Sequence, residues 1–217
     1  MKIYAHRGFS AKFPEATIAA YQGAINVGAD GLECDIRLSR EGTPICFHDR
    51  TTWRIAKKFR FVSRLSVAEL KNLVSAIELK ELIALALSNK CDLLIETKHP
   101  TFSGKKVESA VLAEVAKVSG IRVTLMSFSI LAVRRFAQAH KDVAYVIGRR
   151  WRLLYIPTKT VAVNIELFDK SKWVRKRLAE KEVFLWTVND KKYLAKLTDW
   201  KVAAVITDKP DLPFSLR

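Results

Sequence analysis

Nine short apolar runs, most of them separated by amphipathic helical stretches, constrain the fold more than any other feature of the chain. They cover residues 3–5, 32–38, 44–47, 93–96, 123–126, 143–147, 161–165, 183–186 and 203–206. Each has the length and residue types of a strand. Between them Ile18, Tyr21 and Ile25 recur at helical spacing, and Gly28 is placed to end that helix. Ser66-Val-Ala-Glu69 reads as a capping box ahead of Leu70, Leu73 and Val74. Ile130, Val133 and Phe136 form another apolar stripe, as do Trp173, Val174 and Leu178. Strand alternating with helix implies a parallel sheet covered by helices. With 44–47 set aside as the returning arm of a hairpin, eight strands remain. Eight βα units in 217 residues predict an α/β protein of the TIM (β/α)8 barrel type, with a hairpin arm after the second strand and one domain over 1–217. An open doubly wound sheet is the alternative, but no glycine-rich dinucleotide loop supports it.

The polar residues gather at the ends of these runs. Ala5-His6-Arg7-Gly8 closes the first, Glu33-Cys34-Asp35 lies within the second, and Phe47-His48-Asp49 ends the third. Side chains alternate along a strand, so Glu33 and Asp35 face the same way. Ser39-Arg40-Glu41-Gly42 signals a tight turn, which makes 32–38 and 44–47 antiparallel neighbours. The hairpin therefore returns His48 beside Glu33 and Asp35. Two hard carboxylates and an imidazole suit Mg²⁺ or Ca²⁺ better than zinc. Carboxylates inside apolar runs are costly unless they are paired or bind metal. Strand C-terminal ends are also where barrel active sites form.

Taken in order, these motifs resemble the glycerophosphodiester phosphodiesterase family. Its members open on a His-Arg-Gly strand and a Pro-Glu-Asn-Thr turn, then show Glu-x-Asp and a His-Asp pair. Pro14-Glu15-Ala16-Thr17, Ile95-Glu96-Thr97-Lys98, Ser127-Phe128, Trp186-Thr187-Val188-Asn189 and Ile206-Thr207-Asp208-Lys209-Pro210 extend the likeness from residue 3 to about 211. Ala16 departs from it, standing where the family usually has Asn. That change removes an amide from a loop but no metal ligand or proton carrier. The resemblance implies hydrolysis of small glycerophosphodiesters to glycerol 3-phosphate and an alcohol, by water or a neighbouring glycerol hydroxyl. Such chemistry needs the phosphate charge offset, a nucleophile deprotonated and a leaving oxygen protonated. Glu33, Asp35 and Glu96 are expected to hold a divalent metal ion, Mg²⁺ or Ca²⁺. Arg7 and Lys98 are expected to meet the phosphate, and His6 and His48 to form the acid/base pair in an order left open. Glu15 belongs with the substrate residues, through Arg7 or through substrate itself. Trp186, by resemblance, lines the substrate site. Asp49 either orients His48 or is a surface carboxylate. His99 and His140 are expected to be ordinary satisfied histidines.

Charge keeps two other readings in play. Lys and Arg number 38 against 22 Asp and Glu, a net charge of +16. Such a field can steer an anionic substrate, hold a protein on an anionic membrane, or bind nucleic acid. The basic, aromatic stretches 50–65 and 149–155 suit a lipid substrate, so lysophospholipase D-type hydrolysis with peripheral membrane contact is the first alternative. For the second stretch, simple exposure of a βα loop is the preferred account. A catalytically weak barrel binding nucleic acid through its charge ranks last, because no specific nucleic-acid motif is present. Stretch 50–65 is short for the family, which is expected to leave the mouth open. No apolar run reaches the eighteen residues of a membrane span. The three cysteines, Cys34, Cys46 and Cys91, lack metal spacing and are expected to be buried free thiols. With the first strand starting at residue 3 no leader is expected, and a cytoplasmic protein is. The oligomeric state is not legible.

Overall fold

The computed structural model describes residues 1–101 and 104–212, and ten strands form within them. They are β1 (Lys2–His6), β2 (Gly31–Leu38), β3 (Pro44–Cys46), β4 (Ile77–Glu78), β5 (Asp92–Thr97), β6 (Val123–Ser127), β7 (Val143–Ile147), β8 (Thr160–Asn164), β9 (Glu182–Trp186) and β10 (Ala204–Thr207). Strand β1 pairs in parallel with both β2 and β10. The parallel ladder runs on from β2 through β5, β6, β7, β8 and β9 to β10, so eight strands close a ring. The predicted (β/α)8 barrel is the observed fold. Strands β3 and β4 stand outside the ring: β3 pairs antiparallel with the far end of β2, with Leu38 opposite Pro44 and Ile36 opposite Cys46, and β4 pairs antiparallel with β3. Residues 213–217 of the expected domain lie outside the described residues.

All nine predicted runs are strands, and the misses are local. The two-residue β4 is too short to carry a period. The run 161–165 stops at Asn164, whose side-chain oxygen accepts from the Glu166 and Leu167 amides at 3.0 and 3.2 Å. That cap starts the helix Ile165–Asp169. In the helix Ile18–Asn26 the buried face is Ala20, Tyr21 and Ala24, and the stripe residue Ile18 is exposed. The cause is Gly8, at φ +79°, where a Cβ would sit 2.5 Å from the Ala20 carbonyl carbon. This close approach turns the helix on its small residues. The Ser66 capping box forms as expected, with Glu69 N donating to Ser66 Oγ at 3.1 Å and Ser66 N to Glu69 Oε2 at 2.8 Å.

Alternate strand residues fill the ring with Tyr4, Leu94, Met126, Val146, Phe184 and Ile206. The other faces pack against helices through Val107, Val111, Val133, Phe136 and Val174. Cys34, Cys46 and Cys91 are free and buried. Among the described residues no helix is long and apolar enough to cross a membrane.

Ion pairs seal the N-terminal end of the ring. Arg122 grips Glu182 with two hydrogen bonds of 2.6 and 2.7 Å, and Thr160 Oγ1 donates to the same carboxylate at 2.6 Å. Asp92 accepts from the Arg122 amide at 2.9 Å and pairs with Lys2. Contact with Arg122 holds the Glu182 carboxyl below its usual range, against the upward push of burial. A depressed carboxyl contributes stability above its unfolded value, about 4.3, and loses it as pH falls through the folded value. Arg122→Met is therefore expected to cost about 1–3 kcal/mol at pH 7 and less below about pH 4. Urea unfolding of both proteins at the two pH values checks this.

Candidate active site

Register between neighbouring strands assembles the polar cluster. His6 lies opposite Glu33 across β1 and β2, and Asp35 lies opposite Glu96 across β2 and β5. The hairpin continues past β3, with Phe47 N donating to the Asp35 carbonyl at 2.8 Å. His48 thus arrives beside the carboxylates, as its spacing predicts. At this C-terminal end a cavity of about 200 Å³ is lined by His6, Arg7, Glu33, His48, Glu96, Lys98, Phe128 and Trp186.

Glu33 and Asp35 are each only 1 % exposed. Arg7 Nε lies 2.7 Å from Asp35, and the Arg7 amide donates to Glu33 Oε2 at 3.1 Å. Lys98 Nζ bridges Asp35 at 2.9 Å and Glu96 at 2.6 Å. Burial would raise the Asp35 carboxyl, but Lys98 and Arg7 outweigh it and hold it below the carboxylate range. Glu33 is not so compensated, and burial with Asp35 nearby drives it well up. Burial also pushes Glu96 up to about 7, against the pull of Lys98.

Glu33, buried beside Asp35 without a cation of its own to offset it, fits a divalent ion shared with Asp35, and the oxygens of both are hard donors. The ligand atoms of His6, Glu33 and Asp35 all lie within 4.8 Å of one another. Glu96, expected in the metal set, is held by Lys98 and is not gathered into that trio.

Both cavity histidines rest on a carboxylate. His6 Nδ1 lies 2.6 Å from Asp208 Oδ1, which also accepts from Ser10 Oγ at 2.9 Å. Asn189 donates to the other Asp208 oxygen and accepts from the Asp208 amide at 2.8 Å. Burial raises the Asp208 carboxyl, yet its contacts with His6, Asn189 and Ser10 bring it down to about 2. An ionised Asp208 fixes Nδ1–H as the donor and leaves Nε2 toward the cavity, 4.0 Å from Glu33. His48 Nδ1 lies 2.6 Å from Asp49, so Asp49 does touch the histidine. Arg54 Nε donates to Asp49 at 2.6 Å, and its terminal nitrogens donate to Glu15 at 2.8 and 2.5 Å. Glu15 in turn meets Arg7 at 3.2 Å. Trp186 packs edge-on against Phe128, with centroids 5.6 Å apart.

The comparisons with known proteins decide the family. Residues 6–212 match the profile of the glycerophosphoryl diester phosphodiesterase family. The chain belongs to that family. A probable glycerophosphodiester phosphodiesterase 1 of Mycobacterium tuberculosis is 36 % identical over 164 residues, covering 63 % of this chain and 60 % of that protein. The chain thus matches about three fifths of that relative's length. The glycerophosphodiester phosphodiesterase of Bacillus altitudinis is 28 % identical, with 100 % of this chain and 98 % of that one covered. The crystal structure of glycerophosphodiester phosphodiesterase from Thermotoga maritima superposes with a TM-score of 0.85 at 26 % identity, covering 99 % and 97 %.

In this family member Ala16 takes φ +57°, and its amide donates to the Arg7 carbonyl at 2.9 Å. The left-handed region costs an ordinary L-residue roughly 1–2 kcal/mol, whereas Asn tolerates it. The family preference for Asn thus has a backbone reason, and the turn survives its loss here. Asp208, Asn189, Ser10 and Arg54 went unassigned in the sequence. Asp208 and Asn189 stood in quoted motifs, but Arg54 had no signal at all. His140 Nε2 is satisfied by the Val123 carbonyl at 2.7 Å, whereas His99 Nε2 lies 3.1 Å from Glu108 without forming a hydrogen bond, and neither lines the cavity.

Proposed function

We propose that this chain, as one barrel domain over 1–217, hydrolyses small glycerophosphodiesters to glycerol 3-phosphate and an alcohol. Two carboxylate-backed histidines facing one cavity beside buried carboxylates and two cations carry the reading. Relatives that share the barrel along its length bear the name glycerophosphodiester phosphodiesterase, which supports it. Glu33 and Asp35, with Glu96 beside them, would hold a divalent ion, Mg²⁺ or Ca²⁺. Such an ion, when bound, offsets phosphate charge as a Lewis acid. Arg7 and Lys98 hold the phosphate oxygens, Glu15 positions Arg7, and Trp186 walls the glycerol side. Burial lowers His48 from its usual range, so its imidazole is neutral at pH 7 and able to take a proton. His6 then returns one to the leaving oxygen. The free buried thiols suit a reducing cytoplasm.

The deciding experiment is a product assay on glycerophosphocholine with and without added Mg²⁺ or Ca²⁺. Absence of glycerol 3-phosphate under every condition overturns the reading. Asp208→Asn should keep the fold and lower kcat/KM about 10–100-fold, as lost outer partners of a site histidine do. Steady-state kinetics with circular dichroism separates that loss from misfolding.

A lysophospholipid substrate is the second reading, and one observation favours it. Phe59 is 67 % and Leu154 79 % exposed, with Trp53, Trp151 and Tyr155 exposed near them in sequence, among arginines and lysines. Both stretches leave C-terminal strand ends, the face on which the cavity opens. Aromatic and basic side chains together suit an anionic lipid surface. The chain should then sediment with vesicles containing phosphatidylserine but not with phosphatidylcholine alone. Phe59→Ser with Leu154→Ser should abolish sedimentation while leaving glycerophosphocholine turnover intact.

A further inference from the structure

A separate cavity of about 430 Å³ opens between the hairpin turn, the stretch 61–63 and the segment after β5. It shares no lining residue with the catalytic cavity. Its walls carry Arg37, Arg40, Arg50 and Lys106 against a single carboxylate, Glu41. That carboxylate is already engaged, accepting from Ser39 Oγ at 2.8 Å and lying 3.7 Å from Arg40. Arg40 also meets Glu69 at 3.5 Å.

Arg37 is not balanced in this way. Its Nε donates to the His48 carbonyl at 2.8 Å, and among the described residues no carboxylate forms an ion pair with its guanidinium. Lys106 likewise has no carboxylate partner among them. A half-buried guanidinium whose close partner is a backbone carbonyl rather than a carboxylate is left short of counter-charge at contact distance. An oxyanion between Arg37 and Lys106 would remove the imbalance, and the guanidinium fork matches phosphate oxygens.

We propose that this cavity is a second anion site, taking a compact phosphate-type group on Arg37 and Lys106. The site reaches the catalytic one through a hydrogen bond, since Arg37 Nε donates to the backbone carbonyl of His48. The phosphate is either free in solution or a monoester carried on the alcohol of the substrate.

Inorganic phosphate titrated into the ¹⁵N-labelled full chain tests the site without reference to turnover. The Ser39 and Gly42 amides report this cavity, and the His6 and Thr187 amides report the catalytic one. Two binding curves with different midpoints are expected. Lys106→Met should weaken the Gly42 curve about tenfold or more, equivalent to about 1.4 kcal/mol, and leave the Thr187 curve in place. Arg37→Met should abolish the Gly42 curve; should that variant not fold, Lys106→Met decides alone. Unmoved Ser39 and Gly42 amides, the same movement with chloride at equal ionic strength, or an unchanged midpoint in Lys106→Met each overturn the proposal. Kinetics then separates the sources. If the phosphate arrives on the substrate, Lys106→Met raises KM for a glycerophosphodiester bearing a terminal phosphate and spares glycerophosphocholine. If it is free, added phosphate changes glycerophosphocholine kcat/KM in the parent beyond the competition seen in Lys106→Met.

Discussion

Alanine at His48 or at His6 should lower kcat/KM on glycerophosphocholine by roughly 10²–10⁴-fold, the usual range for a lost acid or base. Both imidazoles line the cavity and both are oriented through Nδ1, so neither can substitute for the other. The pH profile of kcat/KM should be bell-shaped. If His48 is the base, burial places the acid limb below about 6.5, since activity falls as pH drops through its lowered value. A nitrophenyl leaving group needs no protonation. The variant lacking the acid should recover on such a substrate, and the variant lacking the base should not. Equal recovery of both, or full activity in either, would falsify the two-histidine mechanism.

Removing the carboxylates should cost at least as much, and the two should part company in stability. Glu33→Gln takes a buried charge from a place where burial already opposes it, so the metal-free variant should melt no lower than the parent. Asp35→Asn leaves Arg7 and Lys98 facing a neutral amide. That change should cost on the order of 3 kcal/mol, because both cations are largely buried. Each variant should lose more than about 10²-fold in turnover, exceeding the effect of an outer partner. Added Mg²⁺ or Ca²⁺ should raise the melting temperature of the parent and not of Glu33→Gln. A parent whose turnover survives EDTA, or whose melting ignores both ions, would remove the metal from the mechanism.

Much of the barrel was legible because its signal is local and repeated. Eight strand patterns each carry their own evidence, and short turns between antiparallel arms leave one choice of pairing. The hairpin fixed Glu33, Asp35 and His48 together for the same reason. What escaped depends on distant or irregular partners. Asp208 meets His6 across a separation of 202 residues, which no spacing rule reaches. Arg54 lies in a stretch without periodicity, where only coordinates show that it ties Asp49 to Glu15. Ile18 misled the helix reading, because hydrophobicity ranked it above the small residues that Gly8 needs close by.

The join between β1 and β10 ties activity to the order of synthesis. His6 ends the first strand of the ring, and the carboxylate that orients it follows the last. A nascent chain folds from its beginning as it emerges. Until Asp208 is out, β1 lacks one neighbour and His6 lacks its carboxylate, so the site is complete only once both ends of the ring have been made. A chain cut short before Asp208 should therefore lack an oriented His6, however much of the barrel it has formed.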